Sequence, residues 1–196
     1  MTLARKYATQ LNSRAVKLAW ETDDHHIIES VYLPHGHKAH VCVSTQVGCR
    51  MACRHCPTNS GPFLRNLMSG EIIGQILGTL AHMSAGTHLV RPDQVLLMGV
   101  GEPLDNYRQV LGCLHYLATS TFFARTTALA GTCGIAPGIY GIARDAPFVE
   151  LWISLHASND DVRNFLMPAA RSYPLQDVLR ASEHFATVAR RVVVIK

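Results

Sequence analysis

The sequence predicts an α/β protein, an incomplete (β/α) barrel of about five parallel βα units. Short β-branched or apolar runs alternate along the chain with segments of helical periodicity, which is the pattern of βα units around a parallel sheet. With 196 residues, 48% of them apolar and 16% charged, the chain can bury one sizeable core. A closed eight-fold barrel typically needs about 250 residues, so we expect only part of one.

The first predicted strand covers 39–45 and is followed by a loop over 46–67 that is punctuated by Gly, Pro and Asn. A helix begins at Ser69, because apolar side chains recur on one helical face from there. These side chains are Ile72, Ile73, Ile76, Leu77 and Leu80. The second strand covers 94–98 and ends at a Gly-Val-Gly-Glu-Pro turn over 99–103.

The second half of the chain continues the same alternation of helix and strand. We predict a helix near 107–118, a weaker strand near 126–130, a short helix after Pro137, a strand over 148–155, a helix over 175–190 and a strand over 192–195. The last strand would be an apolar edge with unpaired backbone groups. We therefore expect a second copy or a separately encoded remainder to pair with this edge, unless the chain is a fragment.

Composition excludes several classes of protein. No apolar stretch approaches the roughly 18 residues of a membrane span, so we expect a soluble, cytoplasmic protein with no membrane partner. Lys and Arg number 18 against 14 Asp and Glu, a mild positive balance that suits a polyanion without identifying one. Three of the six cysteines lie within eight residues, which argues against a disulfide scaffold and for a metal in a reducing compartment.

Three segments that carry chemically active residues come directly after predicted strands. They cover 46–58, 99–104 and 155–160. Because ligands of parallel α/β folds gather at the carboxyl ends of the strands, we expect these segments to face one pocket.

The cysteine triplet has the spacing Cys49-x3-Cys53-x2-Cys56. Three thiolates can hold three irons of a [4Fe–4S] cluster and leave the fourth iron open to another ligand. The alternative is a structural zinc ion, which prefers four ligands. Its fourth ligand would be one of three residues: His55, Cys113 or Cys133. Spacing alone leaves both metals open.

The sequence around the triplet is more specific than its spacing. Residues 42–58 read Cys-Val-Ser-Thr-Gln-Val-Gly-Cys-Arg-Met-Ala-Cys-Arg-His-Cys-Pro-Thr. This segment closely resembles the cluster loop of the RlmN/Cfr family of radical S-adenosylmethionine enzymes, which methylate adenosine in large-subunit ribosomal RNA. Further segments resemble the family in the same order: 29–34, 66–75, 98–104 and 153–160.

The resemblance covers about residue 14 to the end and implies a radical-SAM-type barrel. It divides the chain into a short N-terminal extension, 1–28, and a radical SAM core domain, 29–196, without the C-terminal part of the family fold. It implies that Cys49, Cys53 and Cys56 hold a [4Fe–4S] cluster whose open iron binds S-adenosylmethionine. A flavodoxin-like electron donor would reduce the cluster, and a 5′-deoxyadenosyl radical would form.

The resemblance also implies cofactor contacts outside the cluster loop. Gly101 and Glu102 match a turn that contacts the methionine end of the cofactor, where a carboxylate can accept hydrogen bonds from an ammonium group. Ser154, Leu155 and His156 match a second contact segment. Taken alone, the first is compatible with an ordinary βα turn and the second with a buried strand end.

Two residues upstream of the triplet match catalytic residues of the family. Cys42 corresponds to a thiol that resolves the product and forms a transient disulfide with a second, methyl-carrying cysteine. Glu29 corresponds to a proton acceptor. The alternatives are a buried strand cysteine that behaves as a small apolar residue and a solvated surface carboxylate.

The sequence departs from the family in two places. The methyl-carrying cysteine of the family corresponds to a position beyond Lys196, and neither Cys113 nor Cys133 matches it. Gly131 stands where the family has a serine that contacts the cofactor, which would weaken binding by about 0.5–1.5 kcal/mol.

Three functions therefore remain open. The first is a radical SAM RNA methyltransferase acting on ribosomal RNA, with transfer RNA as a second substrate class, that receives the missing cysteine in trans or uses an internal one. The second is a radical SAM protein of different chemistry. The third is an inactive remnant that binds a cluster or zinc.

Overall fold

The computed structural model describes residues 3–11, 14–58, 61–84 and 90–196. The strands are β1 (Ala4–Gln10), β2 (Val16–Glu21), β3 (Ile27–His35), β4 (Lys38–Val43), β5 (Gln46–Val47), β6 (Arg65–Asn66), β7 (Gln94–Leu97), β8 (Thr127–Thr132), β9 (Glu150–Ile153) and β10 (Val193–Ile195). The helices are α1 (Ser69–Met83), α2 (Tyr107–Thr119), α3 (Ala136–Asp145), α4 (Asp160–Leu166) and α5 (Leu175–Ala189). Two 3₁₀ turns cover Thr121–Phe123 and Pro168–Ser172.

The main sheet of the described residues has eight strands in the order β1-β2-β3-β4-β7-β8-β9-β10. Strands β4, β7, β8, β9 and β10 are parallel to their neighbours in this part of the sheet, with helices on the connections between them. The predicted α/β class with five parallel βα units is confirmed. Strands β1 to β4 are antiparallel and extend the sheet at one side, while β10 lies at the opposite edge.

The apolar core lies between the parallel strands and the helices. Alternate strand residues are fully buried on this face: Val41, Val43, Val95, Leu97, Leu151 and Ile153. Helix α1 contributes Ile72, Ile76 and Leu80, as its periodicity predicts. Leu77 was also expected on this face, but it is 41% exposed because the buried stripe continues through Gln75 and Thr79 instead.

The strand predicted over 94–98 ends one residue early, at Leu97. Two other predicted strands end two residues early, and both differences shape the site. The first ends at Val43, because the backbone N–H groups of Thr45 and Gln46 donate to the carbonyl of Val100 at 2.8 and 3.2 Å. The strand expected over 148–155 ends at Ile153, and His156 has left-handed backbone geometry with φ of 59°. The chain therefore turns out of the sheet at both places.

The loop predicted over 46–67 contains a small ladder in which β5 pairs with β6. Residues 59–60 of this loop lie outside the described residues. Gly48 has φ of +75°, and a Cβ on it would lie 2.1 Å from the carbonyl oxygen of Pro62. Only glycine can occupy this position without moving the returning backbone.

The predicted domain boundary at residues 28 and 29 falls inside β3. On its N-terminal side, Trp20 of β2 is only 4% exposed, and its Nε1 donates to Ser30 Oγ at 2.8 Å. Ser30 Oγ is also hydrogen-bonded to Thr79 Oγ1 of α1 at 2.7 Å. Strand β2 therefore shares the core of the parallel sheet.

No helix among the described residues has the length and apolar character needed to cross a membrane.

Replacing Trp20 with alanine tests whether β2 belongs to the same cooperative unit as the parallel sheet. We expect the free energy of unfolding to fall by about 3–5 kcal/mol, because a large buried ring is removed. Tyr7→Ala on β1 is the control, since Tyr7 is 52% exposed, and its change should stay within about 0.5 kcal/mol. Denaturant unfolding followed by far-UV circular dichroism measures both. A loss in Trp20→Ala as small as that of the control would contradict the shared core.

Candidate functional site

A pocket opens at the carboxyl ends of β4, β7, β8 and β9. The three segments predicted to face one pocket all contribute to its wall. The lining residues are Cys49, Met51, Cys53, His55, Cys56, Thr58, Met98, Gly99, Gly101, Glu102, Gly131, Thr132, Cys133, Ser154, His156 and Met167.

The three cysteines of the triplet lie together on one wall of this pocket. Burial raises the pKa of the Cys49 thiol, and burial followed by the neighbouring thiols raises that of Cys53 to about 11. These two thiols are therefore protonated at neutral pH, so a metal that binds them would release their protons. Cys56 is partly buried, and its Sγ lies 2.9 Å from Thr58 Oγ1.

The donor set suits an iron–sulfur cluster with one open iron. Three thiols of one loop face the same cavity, and each can bind a different iron of a cubane. All six cysteines are free thiols in the structure. Among the described residues, no group of three or more His, Cys, Asp or Glu side chains is placed to hold a single metal ion.

The base of the cysteine loop is held by Gln46, whose side chain is fully buried. Its Nε2 donates to Asn66 Oδ1 at 2.8 Å and to Asp105 Oδ2 at 2.6 Å. Its Oε1 accepts from the backbone N–H of Glu102 at 2.9 Å. No local pattern indicates this role for Gln46, although the residue belongs to the family-like segment before Cys49.

Gly101 allows this contact because its backbone passes directly over Gln46. A Cβ on Gly101 would lie 2.7 Å from the Gln46 Cβ, and φ of +108° disfavours any other residue there. The predicted cofactor role of Gly101 is thus accompanied by a packing role.

Glu102 is a buried carboxylate at the centre of the pocket wall, 4% exposed. Its Oε1 accepts from the Leu104 N–H at 3.0 Å and its Oε2 accepts from the Cys133 N–H at 2.7 Å. Burial raises its pKa, and the hydrogen bonds oppose this shift in part. A carboxylate has about four acceptor positions, so it can also accept from an ammonium group in the pocket.

The third predicted segment divides into two parts. Ser154 and His156 line the pocket, whereas Leu155 packs against the apolar core. The His156 ring lies edge-on to the His55 ring with centroids 4.4 Å apart. Burial, followed by the charges of His55 and Lys196, lowers the pKa of His156 and favours its neutral form.

Cys133 also lines the pocket. From the sequence it was a candidate for the fourth ligand of a zinc ion, with no predicted place in a cofactor pocket. Burial raises the pKa of its thiol well above the usual value. Its carbonyl accepts from Nη2 of the fully buried Arg163 at 2.8 Å, and Nη1 of the same guanidinium donates to the Tyr173 carbonyl at 2.6 Å. Arg163 thereby joins the end of β8 to the segment after α4, a long-range contact that no local pattern indicates.

Gly131 lies under the side chain of Met98. A Cβ on Gly131 would lie 2.8 Å from Met98 Cγ, so Met98 would have to move before a larger residue could fit. The space that the family's serine would need is therefore partly filled by Met98.

Cys42 and Glu29 are not among the residues that line the pocket. Cys42 lies on β4 and pairs with Leu96 of β7, and burial raises the pKa of its thiol to about 11. Glu29 is two residues from Val31, the partner of Cys42 on β3, so both side chains point to the same face of the sheet. Glu29 forms an ion pair with Lys17 at 2.7 Å.

Comparisons with known proteins show what this arrangement resembles. No family model matches the chain. A probable dual-specificity RNA methyltransferase RlmN from Pelotomaculum thermopropionicum is 39% identical over 202 residues, covering 97% of this chain and 50% of that protein. A protein of the same description from Desulforudis audaxviator is 40% identical over 190 residues, covering 90% of this chain and 55% of that protein. The chain is homologous to these RlmN proteins over nearly its whole length. It spans about half the length of the relatives it matches.

A solved structure agrees with the sequence relatives. The crystal structure of a radical SAM methyltransferase from Sphaerobacter thermophilus superposes with a TM-score of 0.91 at 30% identity, covering 100% of this chain and 57% of that one. The predicted resemblance to the RlmN/Cfr family and the radical-SAM-type barrel, present here in part, are both confirmed.

Replacing Gln46 with leucine tests its role as the anchor of the cysteine loop. The variant keeps the volume but leaves the Glu102 N–H without its acceptor, and it removes one donor from the Asp105 carboxylate, which keeps Arg50. We expect a loss of about 1–3 kcal/mol in the free energy of unfolding. Urea unfolding measures this loss, with Gln10→Leu on the exposed β1 as the control. Equal stability of the two variants would show that the network contributes nothing.

Proposed function

We propose that this chain is the cofactor-binding part of a radical SAM methyltransferase that acts on adenosine in RNA. The observation that carries the proposal is the meeting of Cys49, Cys53 and Cys56 with Glu102 and His156 around one pocket. Thiols and a buried carboxylate from separate βα units then face a common space at the end of the sheet where α/β folds bind ligands. The similarity to RNA methyltransferases supports RNA as the substrate class.

The proposed cofactors are a [4Fe–4S] cluster and S-adenosylmethionine. The thiolates of Cys49, Cys53 and Cys56 would hold three irons and leave the fourth for the cofactor. When bound and reduced, the cluster supplies the electron that cleaves S-adenosylmethionine to methionine and a 5′-deoxyadenosyl radical. A flavodoxin-like protein is the proposed electron donor.

The surrounding residues would orient S-adenosylmethionine. Glu102 can accept hydrogen bonds from the ammonium group of S-adenosylmethionine. Backbone donors already bind both of its carboxylate oxygens, so the side chain is held in one orientation. The Ser154 hydroxyl and the neutral His156 ring line the same pocket and offer further polar contacts. Leu155 would act indirectly, by packing this segment against the core.

Cys42 and Glu29 are proposed to act on the RNA product. Both side chains lie on one face of the sheet. Cys42 pairs with Val31 of β3 and with Leu96 of β7, and Glu29 is two residues from Val31. The Cys42 thiol would attack the sulfur of the methyl-carrying cysteine, so that an S–S bond forms and the bond from that sulfur to the methylene carbon breaks. The released carbon would keep the electron pair and take up a proton to become the methyl group of the base. Glu29 would accept a proton from the RNA adduct before this step. The ion pair with Lys17 at 2.7 Å orients the Glu29 carboxylate.

The methyl-carrying cysteine is proposed to come from outside this sequence, in a segment that pairs with the β10 edge. Strand β10 lies at the end of the sheet, and Val192 just before it is 83% exposed. We place the proposed activity in the cytoplasm, where thiols stay reduced and ribosomal and transfer RNA are present.

Metal analysis of anaerobically reconstituted protein tests the cofactor part. We expect iron and inorganic sulfide in equal amounts, and Cys53→Ala should lose most of both because one iron loses its ligand. Cys113→Ala is the matched control, since Cys113 is buried in α2 and does not line the pocket. Zinc without iron or sulfide in the wild-type chain would contradict the proposal and favour a zinc-binding remnant.

Incubation with S-adenosylmethionine, a reductant and ribosomal RNA separates the remaining functions. We expect the wild-type chain to form 5′-deoxyadenosine and Cys53→Ala to form none. Addition of a polypeptide that carries the missing cysteine should then allow methylation of adenosine, detected by mass spectrometry of digested RNA. Formation of 5′-deoxyadenosine with no RNA methylation in the complemented reaction would favour a different radical SAM chemistry.

A further inference from the structure

Two arginines beside the pocket stack on aromatic rings. Arg50 Cζ lies 4.0 Å from the centre of the Phe63 ring, and Arg54 Cζ lies 4.3 Å from the centre of the Phe165 ring. Each arginine directly follows a cysteine that lines the pocket. Both pairs therefore lie close to the pocket rim.

The two pairs differ in what else they contact. Arg50 Nε is also paired with Asp105 Oδ2 at 2.8 Å, and Phe63 is partly buried. Arg54 forms no ion pair with a carboxylate of the described residues, and Phe165 is 59% exposed. The Arg50 pair is thus largely satisfied within the protein, whereas the Arg54 pair presents an aromatic face and a positive charge to solvent.

The Arg54 pair is also held firmly in place. The backbone N–H of Arg54 donates to the carbonyl of Leu166 at 2.8 Å, which ties the cysteine loop to the end of α4. Phe165 precedes Leu166 in the same helix. This backbone contact places the Arg54 side chain within reach of the Phe165 ring.

An exposed ring beside a guanidinium that has no carboxylate partner among the described residues suits an unpaired nucleotide. Single-stranded RNA is bound by stacking of its bases on aromatic rings and arginine planes, and by cations on its phosphates. An enzyme that modifies a base must first take that base out of its stack, which leaves the neighbouring base without one of its stacking partners. A ring at the rim of the pocket can replace that partner.

We propose that Arg54 and Phe165 form a platform on which the nucleobase next to the target adenosine stacks, while Arg54 contacts an adjacent phosphate. This proposal rests on the proposed function, because it assumes that the target adenosine enters the pocket. It adds a site for a flanking unpaired nucleotide. Arg54 and Phe165 are positioning residues in this scheme, since neither reaches the reacting atoms.

Binding of short RNA to the reconstituted chain tests the platform. The probe is a fluorescein-labelled single-stranded oligoadenylate of about ten nucleotides, within the usual range of single-strand sites. We expect Phe165→Leu to weaken binding by about five-fold or more, because leucine keeps apolar volume but cannot stack on a base. Phe165→Tyr, which keeps the ring, should bind within about two-fold of wild type. Phe148→Leu is the matched control, since Phe148 is 36% exposed and does not line the pocket.

A second probe reports stacking directly. An oligonucleotide that contains 2-aminopurine should lose fluorescence on wild type and Phe165→Tyr, but not on Phe165→Leu. Arg54→Lys keeps the charge without the planar group, so it should retain the salt dependence of binding and reduce the quenching. All variants should keep the iron content of wild type.

The outcomes separate the platform from the proposed function. Wild-type affinity and quenching in Phe165→Leu would overturn the platform and leave RNA binding intact. Absence of RNA binding by the wild-type chain that still forms 5′-deoxyadenosine would overturn both the platform and the RNA substrate, while the cofactor part stands. If Phe165→Leu does not fold, Arg54→Lys provides the test. Quenching of 2-aminopurine fluorescence equal to that of wild type in Arg54→Lys would overturn the platform.

Discussion

The buried amide of Gln46 is hydrogen-bonded on three sides at the point where the first parallel strand leaves the sheet. It contacts Asn66 on the returning side of the cysteine loop, Asp105 beyond the following turn, and the backbone of Glu102 within that turn. Since an unpaired buried amide would be costly, these partners fix one another's positions. The Gln46 side chain therefore helps to join the cysteine loop and the Gly101 turn in one unit, and both face the pocket.

Glu102 extends this unit across the sheet. Its carboxylate binds the N–H of Cys133 at the end of β8, and the carbonyl of Cys133 accepts from Arg163. The backbone N–H of Ser154 donates to the Thr132 carbonyl at 2.8 Å, which adds the end of β9. Four successive strand ends are thus connected by buried polar contacts. Such networks give a single arrangement of the wall because each member is satisfied only in that arrangement.

The features that the sequence predicts well are local ones. The helix from Ser69 and the strand over 94–98 follow from periodicity, and the pocket follows from the rule that parallel strand ends meet. The exposed strand β1 has no alternating burial and could not be recognised in this way. The place of Cys133 beside the triplet depends on pairing between β7 and β8, so it has no local signal. The end of β9 at Ile153, before the left-handed backbone of His156, has none either. The residue types in the sequence are enough to identify the candidate ligands. The hydrogen-bond network that positions them is visible only in the folded structure.

Charge is distributed unevenly between the interior of the pocket and its rim. Burial raises the pKa of Glu102 and of the Cys49, Cys53 and Cys133 thiols, and lowers that of His156, so each group is shifted toward its neutral form. At the rim, Arg54 remains a solvent-exposed cation beside an exposed ring. A nucleotide has the same division, because its base is uncharged and its phosphate is negative. A base that entered the pocket would leave its phosphates among the cations of the rim, where solvent and fixed charge both favour them.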